Sequence, residues 1–224
     1  MKKIITQSNE HGNINSSFDY FMKFNLPKNT KILDIGCHYG SLMFNLYKYG
    51  YKNIYGIDVN KESISIGKKT YISIKNKIDV YNGKRLPFKD NSFDVILMFD
   101  VMEHLPDLKR FLKKEVFQVL RKRGLFIFQT PNKLINIVWV WIDNKSIFAN
   151  WWDEHCSLQT YKSLKKLLKK VGFKNIKIEK HNILTDYNIN KVRKKTGIIG
   201  LFLLKLIAKM PIMAYPNFYG SCKK

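Results

Sequence analysis

The sequence predicts an α/β fold, a doubly wound and mostly parallel sheet of seven strands whose last strand is antiparallel. Three observations carry this. Short apolar runs of strand length alternate with amphipathic stretches of helix length. The first run leads directly into a glycine-bearing turn, DIGCHYG at 34–40. The last two β-like segments, 173–180 and 217–224, are separated by an insertion and alternate as antiparallel partners do. The 224 residues, 45% hydrophobic and 25% charged, suit a single globular domain over 1–224 with room for a core.

Taken in order, 14–26 has an amphipathic helical pattern, with Ser16 or Ser17 as its cap and Pro27 as its stop. The strand at 31–35 is followed by a helix at 41–50 that Gly50 closes. A second strand at 53–58 precedes a helix over 61–75. Strands at 77–82 and 92–99 follow, then a helix at 108–124 ending on Gly124 and a fifth strand at 125–130. A helix at 161–172 precedes the strand at 173–180. In such sheets ligands bind beyond the carboxyl ends of the strands, so the loops after 35, 58, 82, 99 and 130 should hold the chemistry.

Composition narrows the setting. The formal net charge is +23, nearly all from lysine, and leaves open an attraction to polyanions, either nucleic acid or an anionic membrane face. Three widely spaced cysteines, Cys37, Cys156 and Cys222, form no disulfide framework and point to a reducing cytoplasm. The basic start lacks the apolar run of a signal peptide, and no segment reaches the roughly 20 uncharged apolar residues of a spanning helix. A cytoplasmic protein is expected, with peripheral contact at the inner face of the membrane left open.

The turn at 34–40 selects a ligand class. A dinucleotide loop places G-x-G-x-x-G here to seat a pyrophosphate, and Gly36-Cys37-His38-Tyr39-Gly40 lacks that spacing. Asp34, two residues before the first glycine, would repel a pyrophosphate but suits an ammonium group. Asp58 ends the second strand, where a carboxylate can accept from both ribose hydroxyls. Asn82 and Gly83 end the third, where a short polar side chain can meet an adenine edge. An amino-acid-bearing, positively charged nucleoside, S-adenosylmethionine, meets all three demands.

LDIGCHYG (33–40), YGIDVN (55–60), RLPFKDNSFDVILMFDVMEHLPD (85–107) and VLRKRGLFIFQTPN (119–132) resemble the successive motifs of class I S-adenosylmethionine-dependent methyltransferases. The branch they look most like includes the ubiquinone and menaquinone biosynthesis methyltransferases, over about residues 30–180. The resemblance implies a cofactor edge of Asp34, Gly36, Cys37, His38, Gly40, Asp58, Val59, Asn82, Gly83 and Phe99. Two positions depart from the family pattern, which has glycine at 38 and aspartate at 82. Histidine tolerates positive φ better than most residues, so His38 need not break the loop. Asn82 retains a carbonyl acceptor.

On the acceptor side, Glu103 and His104 follow the fourth strand and His155 lies in the segment after the fifth; these are the candidate catalytic residues. A general base is needed only for a hydroxyl or a protonated amine acceptor. The expectation is that no metal is used; the alternative set is Asp100, Glu103 and His104, which resembles the divalent-metal ligands of some quinone O-methyltransferases. The stretch 131–160, with all four tryptophans, is an acceptor pocket or lid, or else a hydrophobic cover. The insertion at 185–216 joins basic NKVRKKTG to apolar IIGLFLLKLIAKMPIMAYP, and it either lies on a membrane interface or packs on the domain or a partner.

These readings favour methyl transfer, O-directed, to a lipidic, quinone-like or lipid-linked glycan acceptor. An RNA methyltransferase, suggested by the charge, and a non-catalytic cofactor-binding module are the alternatives. An Asn/Asp-Pro-Pro-aromatic motif after the fourth strand is absent, which counts against methylation of a base nitrogen.

Overall fold

The chain is described by a computed structural model over residues 14–135 and 155–224. Seven strands form one sheet: β1 (Ile32–Ile35), β2 (Ile54–Asp58), β3 (Ile78–Val80), β4 (Phe93–Phe99), β5 (Leu120–Pro131), β6 (Lys174–Glu179) and β7 (Asn217–Lys223). Their spatial order is β3-β2-β1-β4-β5-β7-β6. The first five pair in parallel, and β7 runs antiparallel between β5 and β6. This is the doubly wound sheet the apolar runs predict.

Alternation along the strands distributes side chains to two cores. Leu33, Ile96, Met98, Phe126 and Phe128 face one side, and Ile32, Val95, Leu97 and Ile127 the other. Helices α1 (Ile14–Met22), α2 (Ser41–Lys48) and α3 (Lys61–Thr70) cover the second side with Tyr20, Phe21, Leu42, Met43, Leu46 and Ile64. The first side is covered by α4 (108–119) and α5 (Tyr161–Val171) through Leu108, Phe111, Leu112, Leu164 and Leu168. In α4 the α-helix Leu108–Phe111 continues through a π turn, Leu112–Val116, to a last turn at Phe117–Val119. From that π turn Glu115 accepts the Leu86 N–H at 2.8 Å.

Several boundaries differ from the sequence reading. Ser16 and Ser17 are buried inside α1, not at its cap, because the helix already begins at Ile14 among the described residues. The helix expected over 61–75 ends at Thr70, and Ile72–Ile74 forms a separate 3₁₀ turn. The helix expected to end on Gly124 stops at Val119. Leu120 pairs with Phe93, and the Arg121 guanidinium reaches Asp94 at 2.6 Å, which together draw this segment into the sheet. The left-handed residue there is Arg123, at φ 65°, rather than Gly124. Gly50 and Gly172 do take the positive φ expected of helix closures.

The insertion forms α6 (Asp186–Lys209), kinked at Gly197, followed by a 3₁₀ turn at Ile212–Ala214. Both β5 and β6 run antiparallel to β7, so β6 is parallel to β5. Its carboxyl end therefore lies on the same sheet edge as the ends of β1, β2, β4 and β5. No helix among the described residues is long and apolar enough to cross a membrane.

Candidate active site

A cavity of about 900 Å³ opens at that carboxyl edge. The β1 end contributes Asp34, Gly36, Cys37 and His38; the β2 end gives Asp58 and Val59; Gly83 and Phe99 follow from β3 and β4. Eight of the ten residues predicted for a cofactor therefore share one wall. Glu103, His104 and His155 line the same cavity, as does Asp100.

The loop after β1 is built by close backbone contacts. Gly36 has φ 78°, and a Cβ on it would lie 2.2 Å from Val101 Cγ2, so only glycine fits. The demand comes from Val101, on the loop after β4. Gly40, at φ 86°, precedes α2 and is packed beside Ile74 and Ile78, away from the cavity lining. His38 adopts φ 51° and remains half-buried on the wall, so the loop keeps its left-handed turn without a central glycine. Its N–H donates to Asp58 Oδ2 at 2.8 Å, while Asp58 Oδ1 accepts from the Asn60 N–H at 2.8 Å. Asp58 thus braces the β1 and β2 loops together and still has lone pairs for further donors.

Asn82 does not join this wall. β3 ends at Val80, so Tyr81 and Gly83 face the cavity and Asn82, between them, is exposed. The Asn82 Oδ1 accepts from the N–H groups of Lys84 and Arg85 at 2.9 and 3.1 Å, closing a turn. Tyr81 was missed. An aromatic side chain at a strand end was the available signal, and its hydroxyl is pushed up to about 12, first by burial and then by Asp58 and Glu115. Ser17 of α1 and Asn217 at the start of β7 also line the wall. They come from the two ends of the chain, and nothing in their local sequence marks them.

Charge is concentrated here. Asp34 is only 3% exposed, and its carboxyl is pushed up to about 8, mainly by burial and further by Asp58. Two carboxyls facing one cavity would welcome a cation, and a cationic ammonium beside Asp34 would favour its ionised form. The Cys37 thiol is driven well above its ordinary range by burial first, then by Asp34 and Asp58, so it is no ready nucleophile.

At the other end, Glu103 is 1% exposed and its carboxyl rises to about 8, by burial and then by Asp100. Thr130 Oγ1 donates to Glu103 Oε2 at 3.0 Å. The segment carrying His155 is tied to this turn: the Ser157 N–H donates to the Glu103 carbonyl at 2.9 Å and Ser157 Oγ to the Leu105 carbonyl. As a result the His104 and His155 rings lie 4.6 Å apart. One ligand atom from each of Glu103, His104 and His155 falls within 4.8 Å of the others. His155 therefore takes the place that Asp100 held in the metal set read from the sequence. Asp100 lies beside them with a left-handed backbone, φ 53°. The four tryptophans, and most of the stretch expected to form a lid, lie outside the described residues.

The fold and this edge have counterparts. A family model described as "Methyltransferase domain" matches residues 9–178. The chain is 37% identical over 109 residues to a ubiquinone biosynthesis O-methyltransferase of Pelagibacter ubique, covering 48% of this chain and 45% of that protein. It is 25% identical over 183 residues to a demethylmenaquinone methyltransferase of Lactiplantibacillus plantarum, covering 71% of this chain and 77% of that one. Against the first three curated relatives, the match spans only about a third to a half of their length. In fold, the chain is similar to a crystallised S-adenosylmethionine-dependent methyltransferase from Archaeoglobus fulgidus, with TM-score 0.62, 18% identity and 95% of each chain covered.

Proposed function

The chain belongs to the class I S-adenosylmethionine-dependent methyltransferases, and on that premise we propose that it methylates a hydroxyl of a lipidic, quinone-like acceptor, reached by peripheral contact with an anionic membrane. The observation that carries this reading is the grouping of Glu103, His104 and His155 in the cavity that also holds Asp34 and Asp58. A hydroxyl must lose its proton to become a good nucleophile, and imidazole is suited to accept it near neutral pH. The apolar side chains of Val101, Leu105 and Pro106 line the cavity beside this group and suit a ring-bearing acceptor. The names of the quinone-pathway relatives point the same way.

The cofactor, when bound, supplies a methyl group on a cationic sulfur. Asp34 and Asp58 would hold its charged and hydroxyl-bearing parts, with Tyr81, Val59 and Gly83 around the base. His104 and His155 would take the acceptor's proton. Glu103, held by Thr130 and largely protonated near neutral pH, would orient that pair. A second reading rests on the same spacing: the three side chains could share a divalent cation that aligns the acceptor oxygens.

The test is transfer of labelled methyl from S-adenosylmethionine into a catechol or hydroquinone with an isoprenoid tail, into the lipid fraction, and into total RNA. The expected product is an ether in the quinone or lipid arm, reduced by at least about tenfold in a His104→Ala/His155→Ala protein. Label confined to RNA would overturn the reading in favour of the RNA alternative, with steep salt dependence as its mark. Cofactor binding with no turnover on any acceptor would favour the non-catalytic module. Dialysis against a chelator, then Mg²⁺ or Mn²⁺ addition, separates the base from the metal reading.

A further inference from the structure

The outer face of α6 is apolar and open. Ile198 is 84% exposed, Ile199 76% and Phe202 61%, and Leu203 and Leu206 continue the stripe at helical spacing. The inner face is already satisfied: Leu204 packs with Ile183 and Tyr215, joined by Val192, Ile207 and Ala208. The exposed side chains therefore have no place in the domain's own core. A contiguous apolar face of this kind marks a contact with something else.

The surrounding charge says what. Asp186–Lys209 holds six basic residues and one acidic one. Arg193 and Lys194 are exposed before the stripe, and Lys205 and Lys209 are exposed within its helix. Apolar side chains flanked by cations match acyl chains beneath anionic headgroups, with lysines extending to the phosphates. Gly197 divides the two parts at φ 65° and ψ −148°, and a Cβ there would meet nothing within 4 Å. The glycine serves the bend, which separates the basic half of the helix from the apolar half.

The position of α6 gives the contact a purpose. The helix hangs between the carboxyl end of β6 and the start of β7, on the edge where the cavity opens. Its exit is fastened to the cavity wall. Asn132 Nδ2 donates to the carbonyls of Met213 and Tyr215 at 2.9 and 2.8 Å, and the Asn132 N–H donates to the Pro216 carbonyl at 2.7 Å. Pro131 and Asn217, the neighbours of these residues, line the cavity.

We infer that α6 is the docking element for an anionic bilayer surface, inserting Ile198, Ile199, Phe202, Leu203 and Leu206 so that the cavity edge meets the lipid. The purpose assigned to docking rests on the lipidic acceptor proposed above; the docking itself is measured without it. The full chain is sedimented with phosphatidylcholine vesicles and with vesicles that also contain phosphatidylglycerol. Partition at least tenfold stronger to the anionic vesicles, weakening with salt, is expected. An Ile199→Glu/Phe202→Glu protein should lose that binding by tenfold or more while still binding S-adenosylhomocysteine, which shows that it is folded. An Arg193→Gln/Lys194→Gln protein should lose the preference for anionic lipid. Wild-type protein that stays in the supernatant, or apolar-face variants that bind like wild type, would overturn the inference. So would a dimer in solution that the Ile199→Glu/Phe202→Glu change dissolves, because a second copy would then cover the face. Methyl transfer to a tailless hydroquinone and to a tailed one in vesicles separates the two proposals. Docking variants should lose only the vesicle reaction, and vesicle binding without either reaction would remove the acceptor reading and leave the docking intact.

Discussion

Replacing Asp34 by Asn removes a charge while keeping the shape of the side chain, and its effects should run in opposite directions on stability and on binding. The carboxyl is buried beside Asp58 and pushed up to about 8, against about 3.9 in an unfolded chain. A carboxyl raised on folding stabilises the fold fully below its unfolded value, and this contribution is lost as pH rises toward its folded value. Between those limits the loss approaches about 1.4 kcal/mol per pH unit. The Asp34→Asn protein escapes it, so its stability relative to wild type should improve by about 2.5 kcal/mol from about pH 5.5 to about pH 7.5. Glu103 titrates in the same direction and is unchanged in both proteins, so it cancels in the comparison. Cofactor binding should move the other way. Losing a charge-assisted contact to an ammonium costs about 1.5–3 kcal/mol, or roughly 10- to 150-fold in affinity. Urea unfolding at the two pH values measures the first effect, and calorimetric titration with S-adenosylhomocysteine measures the second. A stability gap that does not change with pH, together with an affinity altered less than about twofold, would refute the role given to Asp34.

Gly36→Ala forces a Cβ into Val101 at positive φ and should cost about 2–4 kcal/mol in urea unfolding, with part recovered by Val101→Ala. His38→Gly should stay within about 1 kcal/mol of wild type and keep or tighten cofactor affinity by calorimetry, since glycine accepts φ 51° freely. A large loss would show that the imidazole itself contacts the ligand. Asn132→Ala removes both side-chain bonds to Met213 and Tyr215 and should cost about 2–3 kcal/mol, with faster amide exchange across 212–217.

Asp34, Asp58 and Phe99 were legible as residues of one sheet edge because they sit at the ends of apolar runs, where local pattern and sheet geometry agree. It misled where a tertiary contact overrides the local pattern. Residues 120–124 continue a helical spacing, yet Leu120 pairs with Phe93 and Arg121 with Asp94, contacts between segments 27 residues apart. Asn82 stays off the cavity wall by one residue of alternation, since β3 ends at Val80 and Tyr81 lines the cavity. Asn217 reaches the wall only through the antiparallel return of β7, a placement no local motif encodes. His155 was legible as a candidate, but its partnership with His104 depends on Ser157 hydrogen-bonding back to Glu103 and Leu105.

The most direct test of the cavity as the methyl-donor site is calorimetric titration of S-adenosylmethionine into wild type and an Asp58→Ala protein, each first shown to unfold cooperatively. Wild type should bind at a single site, and Asp58→Ala should bind at least about tenfold more weakly, because it loses both the ligand acceptor and the brace to His38. No heat with wild type, or equal affinity in the two proteins, would contradict the assignment of this edge to the cofactor.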